Sequence, residues 1–151
     1  MRKRQLAIFI LSLFGLALSS YALYHHYSTT PGTFCNFSAT ISCDIVNRSL
    51  YSELWGVPVA VFGLFSYGMI ALLALALLQG ITDVWIPRLQ QVLSLGALVF
   101  SLYLTYVELF VLHAICPICV SSLIIVIATA ALTFWLRPKT VVHHQHQSNT
   151  P

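Results

Sequence analysis

The sequence predicts an all-α membrane protein, a bundle of four transmembrane helices. Of its 151 residues, 58% are hydrophobic and only 7% are charged, whereas a soluble domain carries roughly 25% charged residues. So few charges cannot cover a water-facing surface. Four uncharged stretches are each long enough to supply the roughly 20 apolar residues that cross a bilayer. Because lipid offers the backbone no hydrogen-bond partners, we expect helices near residues 5–24, 57–78, 89–109 and 115–136.

The first helix has a second interpretation. Its basic start, its apolar run, and Ser20 and Ala22 at a cleavage-like spacing also resemble a signal peptide. A retained helix is favoured, because the apolar run fills a full bilayer and three remaining helices would bury less of one another.

A long polar segment, residues 25–55, joins the first two helices. Pro31 and Gly32 stop any helix that continues from the first span. The amphipathic stretch CDIVNRSLYSELW, which begins at Cys43, predicts a short helix lying on the membrane surface.

The second helix opens at Pro58, where a missing backbone N–H costs nothing. Gly56, Ala60, Gly63 and Tyr67 follow at spacings of four, three and four. These positions share one helical face, and small residues on such a face predict close packing against a neighbouring helix.

The basic residues predict the orientation. With four spans, six of the seven Lys and Arg residues fall on one side, and only Arg48 falls on the other. The positive-inside rule therefore predicts cytoplasmic termini and an outward-facing segment 25–55. The net charge of +3 follows from this topology and is not a nucleic-acid signal. Residues 1–137 are predicted to form one membrane domain and residues 138–151 a disordered cytoplasmic tail, whose histidines are not expected to form a functional metal site.

All four cysteines fall on the predicted outer side, where disulfides are permitted. Cys116 and Cys119 open the fourth helix, and Pro117 suits the first helical position, which places Cys116 at the N-cap. The unpaired N–H groups and the dipole of a helix start favour a thiolate. A Cys-x-x-Cys pair at a membrane boundary therefore indicates a redox relay. Two structural disulfides or a zinc site remain as alternatives.

Two further residues are candidates for proton transfer. Glu108 and His113 lie at the outer end of the third helix and in the turn that follows it. An ionisable residue within a membrane segment is a functional candidate by default. The alternative is that Glu108 only meets interfacial water or Arg48.

The order and spacing of five residues resemble the vitamin K epoxide reductase family: Cys35, Cys43, Ser49, Cys116 and Cys119. The stretches GVPVAVFGLFSYG and SLYLTYVELFVLHAICPICV are similar to its bacterial members, and the resemblance covers nearly the whole chain. The DsbB family, the other small four-helix thiol oxidases of bacteria, places its Cys-x-x-Cys in the first outer loop, which this chain does not.

The resemblance implies a role for each of these residues. Cys35 would meet an external protein, and Cys43 would exchange with Cys116. Cys119 would face a quinone, either ubiquinone or menaquinone, and Ser49 would hold the loop against the site. The aromatic residues that the resemblance suggests for the quinone pocket are Trp55, Phe62, Phe65 and Tyr67.

Two positions depart from the vertebrate pattern. Vertebrate relatives carry an Asn in the second helix and a Tyr one turn after the second cysteine of the Cys-x-x-Cys pair, both of which contact the vitamin K ring. Here the pocket positions are Val59 and Leu123. Many bacterial relatives also carry a fused thioredoxin-like domain, so here we expect a separate electron donor.

The resemblance therefore predicts a multi-pass enzyme of the bacterial cytoplasmic membrane. It would oxidise an exported thioredoxin-fold dithiol protein, similar to DsbA, and reduce a membrane quinone on the periplasmic side. The alternatives are a quinone or vitamin K epoxide reductase and, outside enzymes, a membrane scaffold with two structural disulfides.

Overall fold

The computed structural model describes residues 2–28, 43, 46, 49–81 and 83–135. The predicted fold class is confirmed, because these residues form four long helices, each apolar enough to cross a membrane. The helices are α1 (Arg2–Tyr27), α2 (Val59–Leu78), α3 (Trp85–Val107) and α4 (Pro117–Phe134). The predicted tail, residues 138–151, lies outside the described residues.

Helix α3 begins four residues before the predicted start. The prediction excluded charge, but Arg88 lies in the first turns of the helix, with its guanidinium 5.9 Å from the ring centre of Trp85. Pro87 is tolerated there because the first N–H groups of a helix have no intrahelical partner.

The small face predicted on α2 packs against α1. A Cβ added at Gly63 would lie 2.6 Å from Ser19 Oγ, and one added at Gly15 of α1 would collide with the Tyr67 ring. The two backbones therefore approach more closely than larger residues would allow, as is typical of helix pairs in membranes. This contact also makes α1 an integral part of the bundle.

Buried polar side chains connect the helices at the end of the bundle away from the cysteines. Gln5 of α1 and Gln90 of α3 exchange two hydrogen bonds, of 3.5 and 3.4 Å, and both side chains are buried. Ser94 Oγ of α3 lies 3.5 Å from Thr133 Oγ1 of α4. In an apolar environment such pairs satisfy each other, because no water replaces the partner.

The segment before α2 differs from the predicted surface helix. Cys43 and Val46 are helical, but a 3₁₀ turn follows over Leu50–Ser52, and then a hairpin of β1 (Glu53–Leu54) and β2 (Val57–Pro58). Trp55 and Gly56 form its two-residue turn with φ of +55° and +79°. Two consecutive positive φ angles match the twist of a tight hairpin, and Gly56 adopts one at no steric cost.

The hairpin is attached to the end of α1. His26 Nε2 lies 3.1 Å from Glu53 Oε1 of β1. Cys35, Pro31 and Gly32, which the sequence analysis singled out in this segment, lie outside the described residues.

Candidate active site

The Cys-x-x-Cys pair lies at the start of α4, as predicted. Cys116 is the N-cap residue, with extended backbone angles, and Pro117 is the first helical residue. Cys116 is 3% exposed, and Cys119, one turn further on, is half-buried. Both thiols are free. The helix start therefore holds two reduced sulfur atoms side by side.

Cys43 reaches this pair from the loop. Its Sγ lies 3.2 Å from Cys116 Sγ, although 73 residues separate the two cysteines in sequence. Cys43 is itself disulfide-bonded and buried. Val46 and Ile118 pack around this sulfur cluster and shield it. A free thiol in contact with a disulfide sulfur is the arrangement from which thiol–disulfide exchange begins.

The pKa of the Cys116 thiol lies below its ordinary value. The main cause is the hydrogen bond from the Cys119 thiol, which stabilises the Cys116 thiolate. The backbone N–H groups of Cys119 and Ile118 act in the same direction, as predicted for a helix start, whereas burial and the nearby Glu108 oppose them. The two thiols are thus inequivalent, and Cys116 is the better nucleophile towards Cys43.

Glu108 lies beside the cysteine pair because α3 ends in a π turn over Glu108–Leu112. Its backbone carbonyl accepts the N–H groups of His113 and Ala114, the latter at 3.1 Å. Its side-chain Oε2 accepts the N–H of Cys116 at 3.3 Å. His113, the other predicted proton carrier, is exposed and closes the turn with a φ of +49°. The π turn therefore directs the carboxyl group of Glu108, and not the His113 ring, towards the thiols.

A mainly apolar cavity of about 120 Å³ lies between the four helices and next to Cys119. Phe62, Tyr67 and Phe100 line it, and Cys119 and Glu108 contribute its reactive groups. A cavity of roughly 150 Å³ lined by apolar side chains admits one benzene ring. The cavity is slightly smaller than this, so its volume is close to that of a single unsubstituted six-membered ring.

Ser49 closes this cavity from the loop side. Its hydroxyl donates to the carbonyl of Val46 at 2.8 Å, and its own carbonyl accepts both the N–H and the hydroxyl of Ser52, at 3.0 and 2.7 Å. Ser49 and Ser52 also line the cavity. Ser49 therefore joins Val46 to Ser52 within the loop, at the wall of the cavity.

Only some of the predicted pocket residues reach the cavity. Val59, Phe62 and Tyr67 line it, but Trp55, Phe65 and Leu123 do not. Trp55 is fully exposed in the hairpin turn, and Phe65 is 66% exposed on the opposite face of α2 from Gly63. On α4 it is Ser122, not Leu123, that faces the cavity, because one residue rotates a helix by about 100°.

One contact across the cavity is not predicted by the sequence. The Tyr67 hydroxyl donates to the Ser122 carbonyl at 3.2 Å and lies 2.7 Å from Ser122 Oγ, which joins α2 to α4. Ser122 follows Cys119 by three residues. This spacing places the two side chains on the same face of the helix, and it can be read from the sequence.

A membrane helical bundle that holds a free thiol against a disulfide-bonded cysteine, with a second free thiol beside an apolar cavity, defines a membrane oxidoreductase. The chain matches the vitamin K epoxide reductase family over residues 6–134, nearly its whole length. The protein belongs to this family, whose members are oxidoreductases linked to quinones. Among the described residues no group of three His, Cys, Asp or Glu side chains forms a metal site.

Proposed function

We propose that the protein is a thiol oxidase that regenerates the disulfide of an exported thioredoxin-fold protein and passes the electrons to a membrane quinone. The observation that carries this proposal is the 3.2 Å contact between the free Cys116 thiol and the disulfide-bonded Cys43. Cys119, on the other side of Cys116, lines the cavity. The cysteines thus form a continuous path from loop to cavity.

The path consists of three two-electron transfers. The partner's two thiols reduce the loop disulfide and are oxidised to a disulfide. The reduced Cys43 thiolate then attacks the Cys116–Cys119 disulfide at Cys116 and releases the Cys119 thiol. Cys35 resolves the mixed disulfide, so the loop is again oxidised and the inner pair is a dithiol. Reduction of a quinone to a quinol by two electrons and two protons returns the inner pair to a disulfide.

The direction of electron flow follows from potentials. A DsbA-like partner is a strong oxidant, with a reduction potential of about −120 mV, so the acceptor must have a higher potential, as a respiratory quinone does. The six-to-one distribution of basic residues supports cytoplasmic termini and a site facing the periplasm of a bacterial cytoplasmic membrane. Ubiquinone and menaquinone are both candidate acceptors.

The rival functions are less well supported. Val59 lines the cavity at the position where vertebrate relatives carry an Asn, so an apolar side chain replaces an amide that would hold an epoxide substrate. A scaffold with two structural disulfides is disfavoured by the free Cys116 and Cys119 thiols.

Purified protein in lipid tests the proposal directly. With the reduced thioredoxin-fold partner and ubiquinone or menaquinone, one quinol should form for each partner disulfide, and none without quinone. Cys119→Ala should abolish quinol formation, because the inner pair can no longer close. Partner oxidation that proceeds at the same rate without quinone would contradict the proposal.

The Cys119→Ala variant also tests whether Cys43 exchanges with Cys116. In Cys119→Ala, Cys116 attacks the loop disulfide and has no resolving partner, so a Cys43–Cys116 disulfide should accumulate, as mass spectrometry of non-reduced digests would show. Cys116→Ala is the matched control and should yield no link between the loop and α4. Finding Cys116 free in every Cys119→Ala digest would remove Cys43 from the path.

A further inference from the structure

Glu108 lines the cavity, and its carboxyl group takes no part in the thiol exchanges described above. Glu108 is 3% exposed, and its Oε2 is occupied by the N–H of Cys116. Its Oε1 is buried and accepts no hydrogen bond from the described residues. A buried carboxyl oxygen without a donor is costly, since a polar group out of water loses its hydration without compensation. Such a group indicates a place where a proton or a ligand comes and goes.

The carboxyl group lies beside the Cys119 thiol at the wall of the cavity. It interacts electrostatically with the Cys119 thiol, and both side chains line the cavity. The other titratable side chains that line the cavity are Tyr51 and Tyr67, which are phenols and not carboxylic acids. The Tyr67 hydroxyl is already engaged with Ser122. Glu108 is therefore the carboxylic acid placed to exchange protons with Cys119 and with a molecule in the cavity.

We propose that Glu108 is the proton carrier of quinone reduction: it takes the proton of the Cys119 thiol and delivers it to a quinone oxygen. The inference rests on the proposed function. In the complete step the two S–H bonds of Cys116 and Cys119 break and one S–S bond forms. The two electrons and two protons pass to the quinone, which becomes a quinol. Glu108 transfers one of these protons and returns to its initial protonation state.

The competing explanation is that Glu108 is only structural, because Oε2 also anchors the N–H of Cys116. The two explanations predict opposite orders for two substitutions. Glutamine keeps the length of the side chain and an oxygen that accepts the N–H, but it carries no exchangeable acid proton. Aspartate keeps the acid but is one methylene shorter. A structural role ranks Glu108→Gln above Glu108→Asp, and a proton carrier ranks Glu108→Asp above Glu108→Gln.

The experiment measures the two half-reactions separately in the full-length protein. Pre-reduced protein is mixed rapidly with a water-soluble quinone analogue, and quinol formation is followed by absorbance. Oxidised protein is mixed with dithiothreitol, and thiol release is followed. In Glu108→Gln we expect quinone reduction to fall by about 100-fold or more, in the range of general acid–base catalysis. Thiol exchange should stay within about twofold, and Glu108→Asp should recover part of the lost rate.

Glu53→Gln is the matched control, because it removes an exposed carboxylate that does not line the cavity. It should reduce the quinone as the unchanged protein does. The inference is overturned if Glu108→Gln matches the unchanged protein, if Glu108→Asp is as slow as or slower than Glu108→Gln, or if both half-reactions of Glu108→Gln fall equally. Failure of the unchanged protein to reduce quinone would instead overturn the proposed function.

Discussion

At the residue scale, the two thiols at the start of α4 acquire different properties from one hydrogen bond. The Cys119 thiol donates to Cys116 and lowers the pKa of Cys116. A lower pKa increases the fraction of thiolate at neutral pH, and the thiolate is the reactive form. Cys116 is therefore suited to meet the loop sulfur, while Cys119 is left facing the cavity.

The hydrogen bond from Cys119 predicts that the pKa of Cys116 depends on the residue at position 119. In a background without the two loop cysteines, Cys119→Ala should raise the pKa of Cys116, because the donor is lost while burial and Glu108 still oppose ionisation. Cys119→Ser is the control and should keep the pKa low, since a hydroxyl also donates. Titration of thiolate absorbance measures both, and equal midpoints in the two variants would refute this cause.

At the scale of elements, α1 and α2 fit together through glycine. Gly15 leaves room for the Tyr67 ring, and Gly63 leaves room for Ser19. Tyr67 in turn reaches across to Ser122 of α4. The close approach of α1 and α2 therefore fixes the position of Tyr67, which lines the cavity.

Gly15→Ala should destabilise the protein by about 1–3 kcal/mol, because the added methyl group overpacks against the Tyr67 ring. Gly68→Ala, within the neighbouring helix α2, is the matched control, since a Cβ there meets no atom within 4 Å. It should be neutral or stabilising by up to about 1 kcal/mol, because alanine favours a helix. Thermal unfolding in detergent compares the two variants, and similar midpoints would contradict the packing argument.

At the scale of the whole molecule, the site depends on topology. The loop that carries Cys43, the end of α3 and the start of α4 meet at one end of the bundle, whereas the Gln5–Gln90 pair lies towards the other. An even number of spans and the distribution of basic residues predict that the cysteine end faces outward.

Cysteine labelling in intact cells tests this orientation. In a background without native cysteines, Trp55→Cys places a thiol in the exposed hairpin turn, and Gln79→Cys places one at the exposed opposite end of α2. A membrane-impermeant maleimide should label Trp55→Cys in intact cells and Gln79→Cys only after permeabilisation. The reverse pattern would invert the topology.

The sequence by itself determined the features that depend on local composition. Four apolar runs predicted four helices because spanning a bilayer requires length and hydrophobicity and little else. Pro117 and the Cys-x-x-Cys spacing predicted the helix start at Cys116, and small residues predicted the packing face of α2. The family resemblance indicated which cysteines exchange with each other, which their spacing alone did not.

Only the tertiary structure decided which side chains share the site. Helices that are apolar on every face give no periodic signal of which face turns inward. The family resemblance therefore points to Phe65 and Leu123 as cavity residues, whereas in the structure Ser122 lines the cavity and these two do not. The hairpin at Trp55 and Gly56 is also not predicted by the sequence, because the amphipathic pattern of this segment indicates a helix and the segment instead forms a tight turn. The contact of Cys43 with Cys116, and of Glu108 with the backbone of Cys116, depends on how the loop and a π turn fold over α4. Such contacts join residues far apart or out of helical register, and composition carries no information about them.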